Sequence, residues 1–151
     1  MWARQSYRWS DLDFEANLKD GHGTDWPIRY ADLAPWYSHV ERHIGVSGSK
    51  EGMAVLPDGE FLPPFEFNTV EQAMKRKFDA KYAPARMIIG RTANLNTASE
   101  AHLAAGRAPC QARSTCHRGC SFGAYFSTQS STLPAALKTG CLLYTSDAAD
   151  E

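Results

Sequence analysis

The stretch Gly106-Arg-Ala-Pro-Cys110-Gln-Ala-Arg-Ser-Thr-Cys116-His117-Arg-Gly119-Cys120-Ser-Phe-Gly123-Ala-Tyr-Phe-Ser-Thr-Gln-Ser-Ser131 organises the chain. Its cysteines follow a C-x5-C-x3-C spacing and are punctuated by Gly106, Gly119 and Gly123. Glycine reaches backbone conformations that other residues resist, so a chain folding three thiols toward one point needs such positions. The segment therefore reads as a wrapping loop followed by a helix. Thiolates are soft ligands, suited to zinc, copper(I) or iron–sulfur clusters. Zinc commonly takes four ligands from paired C-x2-C units or Cys/His mixtures. His117, adjacent to Cys116, is poorly placed to be the fourth. A cluster lacking one corner iron needs three thiolates. Plain reduced thiols, or one disulfide with a spare thiol, fit the spacing as well.

Outward from this segment, the chain has 151 residues and a formal charge of −1. That length suits one domain. The last eleven residues, Cys141-Leu-Leu-Tyr-Thr-Ser-Asp-Ala-Ala-Asp-Glu151, match one frame of a transposon-end adapter used in DNA sequencing libraries. The expectation is that 141–151 is foreign to the fold. Residues 1–140 then carry +2, because the tail holds Asp147, Asp150 and Glu151 and no Lys or Arg. Near-neutral charge argues against nucleic acid as partner. No apolar run is long enough to span a membrane, and the start has no signal-peptide core. Trp2, Tyr7, Trp9 and Phe14 make an opening unlike a loose polar terminus, so it reads as interior sequence of a larger protein.

Gly21 to Pro27 reads as a loop. Asp32, as cap, and Pro35 open a helix whose Leu33, Trp36, Tyr37, Val40 and Ile44 form one apolar stripe expected to pack in the core, with Gly45 as its stop. His39 and His43 are four apart, a spacing open to a metal but commoner on a solvated face. Residues 46–67 are irregular, with Phe61, Phe65 and Phe67 pinning the segment to a neighbour. Asn68-x-x-Glu71 resembles a capping box for a helix carrying Val70, Ala73, Met74 and Phe78 and ending before Pro84. Lys75, Arg76, Lys77 and Lys81 read as its solvated basic face. Arg86–Gly90 predicts a strand. Asn94–Thr97 and Glu100–Gly106 read as loop, and Ser127–Leu137 as a helix that Pro134 kinks or starts late.

Trp26-Pro-Ile-Arg-Tyr-Ala-Asp32-Leu-Ala-Pro35-Trp36-Tyr37, then Glu41 and Gly45-Val46-Ser-Gly48, resembles the signature of the glucose–methanol–choline (GMC) oxidoreductase family, with Trp36 in place of a Tyr. Residues 1–14 resemble the segment after that family's glycine-rich flavin loop. The resemblance covers 1–140. It implies an α+β class: an incomplete central fragment of a GMC-type FAD-binding and substrate-domain fold, mostly helices and loops with few short strands. C-x5-C-x3-C followed by Gly123-Ala124 resembles the family's bacterial sugar and polyol dehydrogenases. There such cysteines hold a 3Fe–4S cluster, which implies Cys110, Cys116 and Cys120 as ligands. Positive charge from Arg113, His117 and Arg118 would tune it.

The resemblance further implies a flavoprotein dehydrogenase of CH–OH donors. FAD takes a hydride from a sugar or polyol, and electrons pass to a cytochrome or quinone, with a cytochrome or small accessory subunit as partner. Periplasmic or membrane-associated placement follows by the same analogy. Trp2, Ala3 and Arg4 would lie at the flavin's edge. The family's catalytic histidine falls in a region outside 1–140, so no catalytic residue is assigned. The Gly-x-Gly-x-x-Gly loop is likewise absent from these residues, so the 151-residue polypeptide is expected neither to hold FAD tightly nor to turn over. A GMC flavoenzyme without a cluster, and a small non-catalytic cysteine-based metal-binding module, are the alternatives.

Overall fold

A computed structural model describes residues 4–141 of the chain. Its helices are α1 (Asp11–Phe14), α2 (Ala16–Asp20), α3 (Tyr30–Ile44), α4 (Thr69–Lys81), α5 (Glu100–Ala104) and α6 (Thr132–Lys138), with a 3-10 turn at Cys116–Arg118. No extended strand occurs among the described residues; pairing is confined to isolated bridges. The hub is the extended run 91–95. Ser47 and Thr92 exchange backbone bonds of 2.9 and 3.0 Å, and Ser6 donates to Arg91 O at 3.0 Å. Farther along, Leu95 donates to Ala124 O at 3.1 Å and Phe126 to Ala93 O at 2.9 Å. Three separate parts of the chain thus converge on five residues, and Ala93 and Leu95 are buried there with Val46, Ala124 and Phe14.

Much of the interior is polar. Arg8, Glu41, Arg91, His102 and Arg107 are all buried, and burial of a charge is tolerable only when its hydrogen-bonding groups are satisfied. Arg8 meets Glu41 through Nε–Oε1 at 2.8 Å and Nη2–Oε2 at 2.6 Å, and also donates to Tyr30 Oη and Ser38 Oγ. Arg91 donates to Pro57 O at 2.7 Å and Asp58 Oδ1 at 2.6 Å, with its guanidinium 4.6 Å from the Phe61 ring centre. Arg91 fastens the irregular segment 46–67 to the hub, and Arg8 fastens residues 4–10 to α3.

That arrangement corrects the expected packing of α3. Trp36 is 67% and Val40 49% exposed, and Leu33, Tyr37 and Ile44 are half-buried, whereas Glu41 is the buried residue of the helix. The bidentate Arg8–Glu41 pair turns the polar side of α3 inward, and fixed charge geometry prevails over an apolar stripe. Asp32 does not start the helix either. It lies at the third helical position and accepts the Arg29 N–H at 2.8 Å, while Asp11 Oδ1 accepts the Tyr30 N–H at 2.7 Å. Gly45 ends α3 in the left-handed region, and a Cβ there would overlap Leu95 Cδ2, so glycine is required by conformation and by space.

α4 forms where Asn68 and Glu71 predict it: Asn68 Oδ1 accepts from Val70 N and Glu71 N, and Glu71 accepts from Asn68 N. Its apolar residues Val70, Met74 and Phe78 are exposed, because the helix leans on the body through Lys75 and Asp79 instead. Asp79 accepts the Met87 N–H at 2.8 Å, and Lys75 donates to Met87 O and to Asp79. This also explains why 86–90 is not a strand: α4 side chains take the Met87 backbone groups that a ladder would use. Arg76, Lys77 and Lys81 are exposed, as the solvated-face reading expects.

The stretch Glu100–Gly106, which reads as loop, instead contains the helix α5. Ser99 caps it by accepting from His102 N, and the Ser99-x-x-His102 spacing is the local signal for this helix. α6 is shorter than the expected 127–137. Ser127 and Ser130 bond one another's backbone and hydroxyls across 127–130, and the helix starts at Thr132, which puts Pro134 in its first turn where proline is accepted. Among the described residues no helix is long and apolar enough to cross a membrane. Of residues 141–151, expected to be foreign to the fold, all except the exposed Cys141 lie outside the described residues.

Candidate functional site: the cysteine segment and its cleft

The cysteine segment is hung from the hub. Cys110 donates its N–H to Leu95 O at 2.8 Å, and Ala108 donates to Phe122 O at 2.8 Å, so the two ends of the loop are held side by side. Between them the backbone turns sharply. Ala112 and Ser114 adopt φ of 51° and 56°, and Gly119 adopts 112°. A left-handed conformation at residues bearing a Cβ is uncommon and persists where surroundings impose it, often at functional sites.

Cys110, Cys116 and Cys120 are half-buried and not disulfide-bonded. All three line one small cavity of about 20 Å³, together with Arg113 and Phe122. Cys110 Sγ accepts from Ala112 N at 3.4 Å. For Cys120, burial works to raise the thiol, but hydrogen bonds from the backbone amides of Tyr125, Phe122, Ala124 and Gly123 outweigh it and hold the thiol below its ordinary value. Amide hydrogen bonds to sulfur are among the features that tune thiolate-bound iron–sulfur centres. In kind, then, the donor set fits a soft thiolate-held group. In spacing it is not gathered: among the described residues no three His, Cys, Asp or Glu side chains form a set that could hold a metal ion. His39 and His43 both lie exposed on α3.

Cys116 and Cys120 also face a larger cleft of about 730 Å³, walled by Arg4, His117, Tyr125 and Gln129. Arg4 donates from Nε to Phe126 O at 2.6 Å and holds its guanidinium 5.0 Å from the Tyr125 ring centre. The structure thus brings Arg4 and two of the cysteines to one cleft, with Cys110 reached through the smaller cavity. Trp2 and Ala3 lie outside the described residues. Arg113, His117 and Arg118 are exposed, and Arg113 stacks over Phe122 at 5.7 Å. The buried cation of the site is Arg107, which sequence reading passed over. Its Nε donates to Gly123 O at 2.8 Å and its Nη2 to Ala124 O at 3.3 Å, so it clamps the turn that presents amides to Cys120. Burial lowers its proton affinity and the Cys120 charge works in the opposite direction. No periodicity or motif marks it; its neighbours Pro109 and Cys110 draw the eye instead.

His102 is the second residue missed. Nε2 donates to Arg42 O at 2.9 Å, and Nδ1 accepts from Ser99 N at 3.2 Å and Ser99 Oγ at 3.0 Å, which suits the neutral ring. Burial pushes its pKa below the ordinary 6.5, and the nearby charge of Arg107 adds to this. The unfolded chain therefore takes up this proton first as pH falls. Stability from the neutral ring is complete above about pH 6.5 and is lost as pH drops from there through the lower folded value. Urea midpoints should decline on acidification below pH 6.5, and His102→Gln should flatten that decline; an unchanged acid limb in the variant would assign it elsewhere.

No family model matches the chain. It is similar to paromamine 6'-oxidase of Streptomyces fradiae, 32% identical over 123 residues that make up 79% of this chain and 20% of that enzyme. It is also similar to the fructose dehydrogenase large subunit of Gluconobacter japonicus, 33% identical over 63 residues, 42% of this chain and 10% of that subunit. The chain therefore spans about a fifth or less of the relatives it matches. Both are oxidoreductases by name, and the chain shares sequence with a part of each.

Proposed function

We propose that the chain is the central part of a GMC-family, FAD-dependent oxidoreductase that oxidises a CH–OH group of a sugar, sugar acid or polyol, with Cys110, Cys116 and Cys120 as ligands of a 3Fe–4S cluster. The observation that carries the cluster is that Cys110, Cys116 and Cys120 all line one small cavity, with backbone amides holding the Cys120 thiol below its ordinary value. Similarity to a paromamine oxidase and a fructose dehydrogenase subunit supports the redox reading and the sugar-like substrate. FAD supplies hydride acceptance and the cluster one-electron transfer. The chain's own residues have narrower tasks. Arg107 holds the Gly123–Ala124 turn, the turn's amides stabilise negative charge on Cys120 Sγ, and Arg4 presents a cation at the wall of the shared cleft. A cytochrome or small accessory subunit is the proposed electron partner, and a periplasmic or membrane-associated setting accompanies it.

A flavoenzyme of the same family with plain thiols is the second reading, favoured by the ungathered spacing of the three sulfurs. Iron and acid-labile sulfide analysis of the anaerobically purified parent protein separates the two. The proportions of a 3Fe–4S cluster, lost in Cys116→Ser while flavin is retained, are the expected result. Bound flavin without iron would leave the cysteines as structural thiols.

A further inference from the structure

A second cavity, of about 150 Å³, lies between the C-terminal end of α3, α5 and α6. Arg42, His43, His102, Arg107, Ser131 and Lys138 contribute its polar wall, and no Asp or Glu lines it. Two features of that wall are incomplete. Arg107 is 2% exposed, and its hydrogen-bond partners are carbonyls: Gly123 O, Ala124 O and, at 3.4 Å, His43 O. Among the described residues no carboxylate pairs with it, although a buried charge ordinarily finds one. Ser131 is 4% exposed, and its Oγ has no hydrogen-bond partner among the described residues. A buried hydroxyl without a partner is costly, so both groups are held at a desolvation penalty that a ligand would relieve. Lys138 is exposed at the rim. Arg42, by contrast, is paired with Glu60, which does not line the cavity.

We propose that this cavity is a binding site for a small oxyanion of the phosphate or carboxylate type, held by Arg107 and Ser131 within and Lys138 at the mouth. The donor set matches the ligand class. A guanidinium offers forked N–H donors to paired oxygens, a hydroxyl adds a third donor, and an ammonium supplies charge without fixed geometry. The size matches as well, since a cavity near 150 Å³ accommodates a benzene-sized guest, larger than phosphate or acetate. His102 keeps both ring nitrogens occupied and serves as wall. Because Arg107 also clamps Gly123 and Ala124, an anion here would be felt at the turn beside Cys120.

Calorimetric titration of the full 151-residue chain with inorganic phosphate and, separately, with acetate tests the site, with sodium chloride of matched ionic strength as control. Binding of one or both probes above the chloride control is expected. Stronger phosphate binding identifies a tetrahedral oxyanion as the natural occupant, and stronger acetate binding a carboxylate. Lys138→Glu, at an exposed position, should weaken the preferred probe at least tenfold. Ser131→Ala should weaken it several-fold, whereas in a cavity holding only water that substitution would leave the titration unchanged. Heats no different from chloride, or affinities unaltered in both variants, overturn the proposal.

Discussion

Glu41→Ala is expected to destabilise the chain by about 3–5 kcal/mol, the usual cost of removing one partner from a buried ion pair. The side chains of Arg8 and Glu41 are 4% and 6% exposed, so neither charge can turn to water when the other is lost. Glu41 also accepts the Glu60 N–H at 3.2 Å, and Gly59 packs so closely that a Cβ there would overlap the carboxylate. Three parts of the chain, at Arg8, on α3 and at Gly59–Glu60, therefore meet on one carboxylate. Tyr30 and Ser38 would still contact Arg8, but neutral hydroxyls cannot balance its charge. Urea denaturation checks this, read as a shift in midpoint at constant slope. Arg8→Met combined with Glu41→Met should recover much of the loss, because the penalty lies in the orphaned charge rather than in the missing attraction. A loss below about 1 kcal/mol in Glu41→Ala would mean that water reaches the pair.

Leu95→Ala is expected to cost about 2–5 kcal/mol, the range for truncating a fully buried leucine. Leu95 is 0% exposed and lies against Gly45, whose left-handed backbone and lack of a side chain make the space for it. The same residue holds the cysteine segment at both ends, accepting from Cys110 N and donating to Ala124 O. Loss of its side chain should thus loosen the loop beyond the global change in stability. Hydrogen exchange should quicken at the Cys110 amide and across 122–126 more than in α4, whose side chains bond Met87 rather than Leu95. Uniform acceleration throughout the chain would show that Leu95 stabilises the fold without a particular hold on the cysteine segment.

Local signals were readable where one short stretch contains both partners of an interaction. Asn68 and Glu71 are three residues apart and set the start of α4; the left-handed turn that ends α3 was readable from Gly45 itself, whereas the space Leu95 needs there was not. The three cysteines, their glycines and their spacing announced a turning, soft-donor segment, and the structure places them around one cavity. The resemblance to CH–OH-oxidising flavoenzymes rested on motifs within single stretches too, and sequence similarity to two oxidoreductases accords with it.

What the tertiary structure alone decided is the polar interior. The partners of Arg8 and Arg91 lie about 33 residues away along the chain, and those of Arg107 are divided between its own loop and the end of α3. No periodicity encodes such pairings, since a charged residue on a helix reads as a surface residue until a distant cation closes on it. That is why the apolar stripe of α3 predicted the wrong buried face, why Met87 lost its strand to Asp79 and Lys75, and why Arg107 and His102 were passed over. Hydrogen-bond demand in a dry interior is satisfied only once the chain has closed, so the amides around Cys120, the unpaired Ser131 and the cavity beside Arg107 are properties of the fold.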